Sequence, residues 1–457
     1  MADPRLIIVG AGPAGVRAAE TLVAAGLRPV VIDESGAAGG QIYRRQPAGF
    51  SRTYEVLYGS DAPKARALHA GFDVLRDRVD YRPDSLAWNL RDKLLHVARA
   101  GVSTALPFDA LILATGATDR LLPIRGWNLP GCYSLGGAQI ALKAQACSIG
   151  ARPVFVGTGP LLYLVASQYL KAGVAVAGIL DTAPVAASIR AIPDLAVRPG
   201  LMARGILLQA KLRMAGVPIE HGVHPLAIEG KDEAMAVLYR TTSGAERRIA
   251  CDAVGIGFHL RSETQLADLA GCDFLFDRST GHWAPRTDGE CRTSQAGIYT
   301  AGDGARILGG DAAEASGRLA AMAALADLGW PVDRAAMATL KRDLRRFDRF
   351  RRGLATAFPW PADLARQVED DIIVCRCEAV TAGQLREAAG AKNAPELNRA
   401  KALSRVGMGR CQGRYCSSAA AEILAAARAA DLADVGRLRG QAPVKPLSLA
   451  TVVEAEA

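Results

Sequence analysis

At 457 residues, half of them hydrophobic and 22% charged, the chain is too long for one ordinary domain and has material for two or three buried cores. A formal net charge of +9 over that length is a modest basic bias, suited to an acidic protein partner and too weak for a nucleic-acid footprint. No apolar run reaches the roughly 18 residues of a membrane-crossing helix, and Met1-Ala2-Asp3-Pro4-Arg5 leads straight into the first strand. A soluble, cytoplasmic protein with no direct membrane insertion is therefore expected.

The first element is an apolar run, Leu6-Ile7-Ile8-Val9, followed at once by Gly10-Ala11-Gly12-Pro13-Ala14-Gly15. An Ala-rich helical segment, a turn at Gly26 and a second apolar run, Val30-Val31-Ile32, lead to Asp33 and Glu34. Strand, glycine turn, helix, strand and acid within about thirty residues form the complete context of a dinucleotide fingerprint. Gly10 makes the tight turn, Gly12 admits a pyrophosphate and Gly15 lets the helix pack close to the strand. The helix N-terminus offers unpaired N–H groups to the phosphates, and Asp33 is placed for an adenosine ribose.

Next comes Ala38-Gly39-Gly40-Gln41-Ile42-Tyr43, where flavoprotein reductases bring a loop under the flavin. Disulfide reductases carry a Cys-x4-Cys pair after that turn; Gln41 to Gln46 contains no cysteine, which excludes a dithiol relay here. Residues 50–108 hold short alternating runs that suggest antiparallel strands or an excursion. Asp109 to Ala117 is an apolar strand ending in Ala114-Thr115-Gly116, and 120–127 reads as a crossover.

A second strand–turn–helix unit begins at Pro153-Val154-Phe155-Val156 and Gly157-Thr158-Gly159-Pro160-Leu161-Leu162; Val174 to Leu180 ends on Asp181. Leu162 stands at the third glycine position, which weakens the case for a tightly held pyrophosphate, so both NAD binding and a vacant fold copy stay open. The chain then returns to the first domain with Ile298-Tyr299-Thr300-Ala301-Gly302-Asp303-Gly304, and the helix after Gly309-Gly310 aims its N-terminus at the flavin end. A domain binding only NAD has no use for this third segment, which favours FAD. Residues 341–352 form a basic run with interleaved Phe347 and Phe350, read as one solvated helix face with its aromatics turned inward; Pro359-Trp360-Pro361 ends it.

Five cysteines are scattered singly, whereas Cys375, Cys377, Cys411 and Cys416 fall together near the C-terminus. Four thiolates from two loops suit a [2Fe–2S] cluster beside a flavin. Structural zinc and a Cys411–Cys416 redox disulfide are the alternatives.

The whole chain resembles the α (A) subunit of heteromeric bacterial amino-acid dehydrogenases, a family that includes D-hydroxyproline and L-proline dehydrogenases, octopine and nopaline oxidases and the flavoprotein subunit of hydrogen cyanide synthase. The resemblance rests on Gly39-Gly40-Gln41-Ile42-Tyr43, Ala114-Thr115-Gly116-Ala117, Gly157 to Leu162, Tyr299 to Gly304, Val374-Cys375-Arg376-Cys377-Glu378 and Gly407-Met408-Gly409-Arg410-Cys411-Gln412-Gly413-Arg414-Tyr415-Cys416. It implies an α/β, two-dinucleotide-binding-domain flavoprotein, Rossmann-like and of the disulfide-reductase type, plus a small C-terminal helical [2Fe–2S] domain similar to bacterioferritin-associated ferredoxin. The Cys411-x4-Cys416 spacing departs from that module's Cys-x2-Cys. The expected domains are 1–120 with 285–333 (FAD), 121–284 (second Rossmann), 334–368 (helical linker), 369–430 (cluster) and 431–457 (tail). The expected cofactor-binding residues are Gly10, Gly12, Pro13, Ala14, Gly15, Asp33, Glu34, Gly40, Gln41, Thr115, Gly116, Gly302 and Asp303; the expected metal ligands are Cys375, Cys377, Cys411 and Cys416. The implied cofactors are FAD, or an adenine nucleotide in its place, a [2Fe–2S] cluster, and an FMN at a subunit interface. The implied partners are a D-amino-acid-oxidase-like, FAD-containing β subunit together with a small ferredoxin-like γ subunit. The implied activity is oxidation of an amino acid, imino acid or opine by the complex, with this chain as electron conduit. A stand-alone NAD(P)H:acceptor reductase and a nucleotide-bound scaffold with a structural cluster are the competing readings. None of the six histidines lies in a motif, and no general acid or base is assigned.

Overall fold

The computed structural model describes residues 4–453; residues 1–3 and 454–457, at the ends of the expected first domain and tail, lie outside them. The dinucleotide pattern folds as its periodicity dictates, into strand Leu6–Val9, helix Pro13–Ala24 and strand Val30–Ile32. Five parallel strands make the first sheet, in the order Ile298–Thr300, Ala110–Leu113, Leu6–Val9, Val30–Ile32, Asp80–Arg82. The central strand is buried on both sides because its alternate side chains enter different cores. Leu6 and Ile8 meet the helices Pro13–Ala24, Ala62–Leu75 and Gly310–Asp327. Ile7 and Val9 meet the antiparallel strands Leu86–Arg91 and Leu94–Arg99, which continue into Val102–Pro107. The segment read as strands or an excursion thus supplies both a helix and the sheet that closes the second face.

The second sheet is also parallel: Ile219–His221, Gly178–Asp181, Pro153–Thr158, Ala253–Phe258, Cys132–Ser134. The apolar run from Val174 joins the ladder late, because a γ-turn in which the Val176 N–H donates to the Val174 carbonyl (3.0 Å) precedes the strand. A short antiparallel pair, Ala117–Asp119 with Leu260–Ser262, lies between the sheets.

Helix Arg334–Ala357 ends before Pro359 and packs against helices Val185–Leu195 and Gly310–Asp327. Phe347 is buried as expected. The basic face is not simply solvated, however: Arg351 pairs with Asp277 (2.8 Å) and Arg349 with Asp194 (2.9 Å), so the run tethers the helix to its neighbours. The C-terminal bundle comprises Ala382–Ala389, Leu397–Ser404 and Ser417–Ala427. It shares one continuous core with the second sheet, running from Val154 and Val254 to Val374, Cys375 and Cys416. The tail doubles back over the first domain, where Val452–Val453 pairs in parallel with Val102–Ser103. Among the described residues no helix is long and apolar enough to cross a membrane.

Candidate functional site

A single cavity of about 1640 Å³ runs from the first glycine turn to the second. Of the residues expected to bind the cofactor, Gly10, Gly12, Pro13, Ala14, Asp33, Glu34, Gly40, Gln41, Thr115, Gly116, Gly302 and Asp303 all line it. Gly15 lies beneath, where a Cβ would overlap the Gly10 carbonyl oxygen. Gly10 adopts φ +104°, and a Cβ there would strike the Ala114 carbonyl oxygen; a Cβ on Gly40 would come within 2.8 Å of the Gly12 Cα. These bare backbones leave a trough that ordinary side chains would fill, as a dinucleotide requires.

The acids do more than face a ligand. Asp33 accepts the Ala11 N–H (2.5 Å) and the Ser35 N–H (2.7 Å), so it also fixes the turn, and burial raises its pKa. Glu34 pairs with Lys445 from the tail. Asp303 accepts from the Leu308 and Gly309 N–H groups (2.9 and 3.1 Å) through Oδ1, setting the approach of helix Gly310–Asp327; its carboxyl is likewise raised by burial.

Sequence reasoning missed the residues that brace the Gly39–Arg44 loop. His69 donates through Nε2 to the Tyr43 carbonyl (2.7 Å) and accepts from the Tyr54 hydroxyl at Nδ1 (2.8 Å). The Tyr58 hydroxyl donates to the Arg44 carbonyl (2.6 Å), and Lys143 of the second domain donates to the Ile42 carbonyl (3.0 Å). The spacing of Tyr54 and Tyr58, one helical turn apart, was the available signal.

The second turn is built differently. Leu162 is fully buried, and the Tyr163 hydroxyl donates to Asp181, the acid that would otherwise meet a ribose. Asp181 also accepts the Ala183 N–H (2.9 Å), and burial pushes its pKa up to about 6. Phe358, at the end of the long helix, lies tilted against the Tyr163 ring (centroids 6.3 Å apart), and its carbonyl accepts from His259 Nε2 (2.6 Å). The acid is thus already engaged, and a helix end is set against the turn.

The four C-terminal cysteines come together, and all are free thiols. Cys416 lies against Cys375 and Cys411, and Cys377 against Cys411. Among the described residues no three or more His, Cys, Asp or Glu are grouped as for a metal ion; the four sulfurs come from two loops, Cys375 and Cys377 on one and Cys411 and Cys416 on the other. Backbone N–H groups of Gly407 and Glu378 point at Cys375, and those of Gly413 and Tyr415 at Cys411. The Cys416 thiol and these N–H groups pull Cys375 down to about 6 and Cys411 to about 5, while Cys416 is pushed up by the thiolates it serves. Preformed N–H···S donors fit an anionic cluster.

Residues 4–324 match the pyridine nucleotide-disulphide oxidoreductase family, and residues 373–426 match the BFD-like [2Fe-2S] binding domain. The chain is 40% identical to the A subunit of the opine oxidase of Agrobacterium tumefaciens (strain Ach5), covering 97% of this chain and 90% of that one. It is 30% identical to hydrogen cyanide synthase subunit HcnB of Pseudomonas aeruginosa, covering 97% of each. L-proline dehydrogenase from P. horikoshii has the same fold, with a TM-score of 0.72 at 19% identity over 99% of this chain and 80% of that one. The family match indicates FAD, and the BFD-like domain a [2Fe–2S] cluster. The chain belongs to the pyridine nucleotide-disulphide oxidoreductase family, among the A subunits of the opine oxidase type that carry a C-terminal BFD-like domain.

Proposed function

We propose that this chain is the electron-transferring α subunit of a heteromeric dehydrogenase or oxidase that acts on an amino acid, imino acid or opine in the cytoplasm. The observation that carries the reading is the direct connection between the two cofactor sites. Thr115, two residues past the flavin strand Ala110–Leu113, donates to the Glu263 carbonyl (2.5 Å), and the Glu263 carboxylate takes Arg414 of the cysteine loop (2.5 Å). FAD supplies two-electron chemistry and the cluster one-electron release; the protein positions the two sites against each other. The absence of cysteine from Gln41 to Gln46 and the engaged Asp181 both argue against disulfide or NAD(P)H chemistry.

In this reading substrate oxidation belongs to a D-amino-acid-oxidase-like β subunit with its own FAD, accompanied by an interfacial FMN and a small ferredoxin-like γ subunit. An uncovered apolar face supports a partner: Val185, Ile189 and Ile192 are exposed along one helix, with Ile206 and Leu207 on the next. The domain division 1–120 with 285–333, 121–284, 334–368, 369–430 and 431–457 is part of the same reading, supported by the two separate parallel sheets.

The test compares the purified chain with the co-expressed complex, using dye reduction with proline and octopine. The complex is expected to turn over one such substrate, and the isolated chain, with iron and flavin bound, none. NADH is expected to leave the flavin absorbance unchanged. Oxidation by the isolated chain would overturn the proposal.

A further inference from the structure

Between the flavin strand and the cysteine loop lies a buried network of charges that neither cofactor motif explains. Arg414 stands between Cys411 and Cys416, with its side chain 6% exposed and that of its partner Glu263 12% exposed. Its Nε donates to Glu263, and its Nη1 donates to the carbonyls of Val444 (2.7 Å) and Cys411 (3.3 Å). Its Nη2 is buried with no partner among the described residues. Arg261 donates from below to the carbonyls of Gly413 (3.2 Å) and Arg414 (3.1 Å) and to the Ser417 hydroxyl (2.7 Å). Glu263 also donates its N–H to the Gly116 carbonyl (3.0 Å), and Gln265 donates to the Gln412 carbonyl (2.7 Å). The five residues Arg261 to Gln265 therefore touch the flavin strand on one side and the cysteine loop on the other.

A purely structural clamp would not need this charge. Two guanidiniums and one carboxylate leave one positive charge over, in a place where water screens it little. An unpartnered buried N–H carries a desolvation cost and calls for an acceptor; the candidates in this network are the thiolates of the neighbouring cysteines and Gln265 Oε1, itself buried without a partner among the described residues. Reduction of a [2Fe–2S] centre adds one electron to an already anionic group, so nearby fixed positive charge and N–H donors favour the reduced form.

We propose that Arg414 and Arg261 set the reduction potential of the [2Fe–2S] centre, with Glu263 moderating Arg414, so that the contact joining the two cofactor sites also sets the driving force between them. The inference rests on the cysteine quartet holding that cluster. Arg414, Arg261 and Glu263 are positioning residues; the sulfurs remain the ligands.

The test is an anaerobic redox titration of the cluster in the full-length holoprotein, followed by visible absorption and by the EPR signal of the reduced form. Arg414→Gln and Arg261→Gln are expected to lower the midpoint, and Glu263→Gln to raise it, each by about tenfold in the oxidised-to-reduced ratio or about 59 mV for one electron. Arg414→Lys is expected to recover most of the Arg414→Gln shift. Opposite signs for the Arg and Glu variants support the proposal, because general damage would move both the same way. Unmoved midpoints, or shifts of one sign, in variants with full iron content overturn it. If Arg414→Gln loses its iron, Arg261→Gln and Glu263→Gln still decide the matter by their signs. Wild-type protein without iron after reconstitution would overturn the cluster reading itself, a result distinct from intact clusters whose potentials do not move.

Discussion

Gly15 separates what the backbone must do at the nucleotide site from what side chains add. A Cβ at this position would overlap the Gly10 carbonyl oxygen, so Gly15→Ala must lift the helix off the turn that faces the pyrophosphate. Overpacking of this kind costs about 1–3 kcal/mol. The expected result is FAD binding weakened by about tenfold to a hundredfold, read by titrating apoprotein with FAD. Gly200→Ala is the control: it lies in helix Pro199–Met214 with open space around the position, and binding is expected to be unchanged. At this scale the nucleotide site was legible, because Gly10 to Gly15 and Asp33 are neighbours in sequence as well as in space. Arg414 and Glu263 were not. They are 151 residues apart, and nothing local to either marks the other.

At the scale of elements, the joint between the long helix and the second sheet should show in the pH dependence of stability. His259 donates to the Phe358 carbonyl and is held down to about 4, chiefly by burial and then by Arg120. His282 is held down to about 3 by burial and then by Arg120 and Arg261. Both folded values lie below the ordinary 6.5, so between 6.5 and 4 the unfolded chain binds more protons than the folded one. The stability these groups permit is complete above pH 6.5 and is lost as pH falls toward 4. For His259 alone the loss at pH 4.5 amounts to about 2–3 kcal/mol. His259→Gln keeps a side-chain N–H for Phe358 and does not titrate, so its urea midpoint is expected to fall less steeply between pH 7 and 4.5; an unchanged slope would refute the assignment. The two strand–turn–helix units and the end of the long helix at Pro359 were readable because period and punctuation are local signals. The role of His259 was not, since its acceptor lies 99 residues away. Nor could alternation alone show that residues 54–107 would divide between a helix and a sheet on opposite sides of one strand.

For the whole molecule, the C-terminal tail is the part whose role composition concealed, because nothing in Pro443-Val444-Lys445-Pro446 itself names its contacts. It ties the cluster loop to the rim of the FAD cavity. Arg414 donates to the Val444 carbonyl, the Val444 N–H donates to the Trp88 carbonyl (3.0 Å), and Lys445 pairs with Glu34 beside Asp33. These contacts differ in worth. Lys445 is 34% exposed and Glu34 49%, so their ion pair contributes at most about 1 kcal/mol. Removing Val444 leaves a buried guanidinium N–H of Arg414 without its acceptor, which costs about 1–3 kcal/mol. Lys445→Ala is therefore expected to lower the temperature of flavin release only slightly, and less at high salt. Truncation after Ala442 is expected to lower it by several degrees more and to loosen the cysteine loop as well, giving faster iron loss to a chelator. Equal effects of the two changes on flavin release, or truncation without any effect on iron retention, would show that the tail acts on the nucleotide rim alone and does not couple the two cofactor sites.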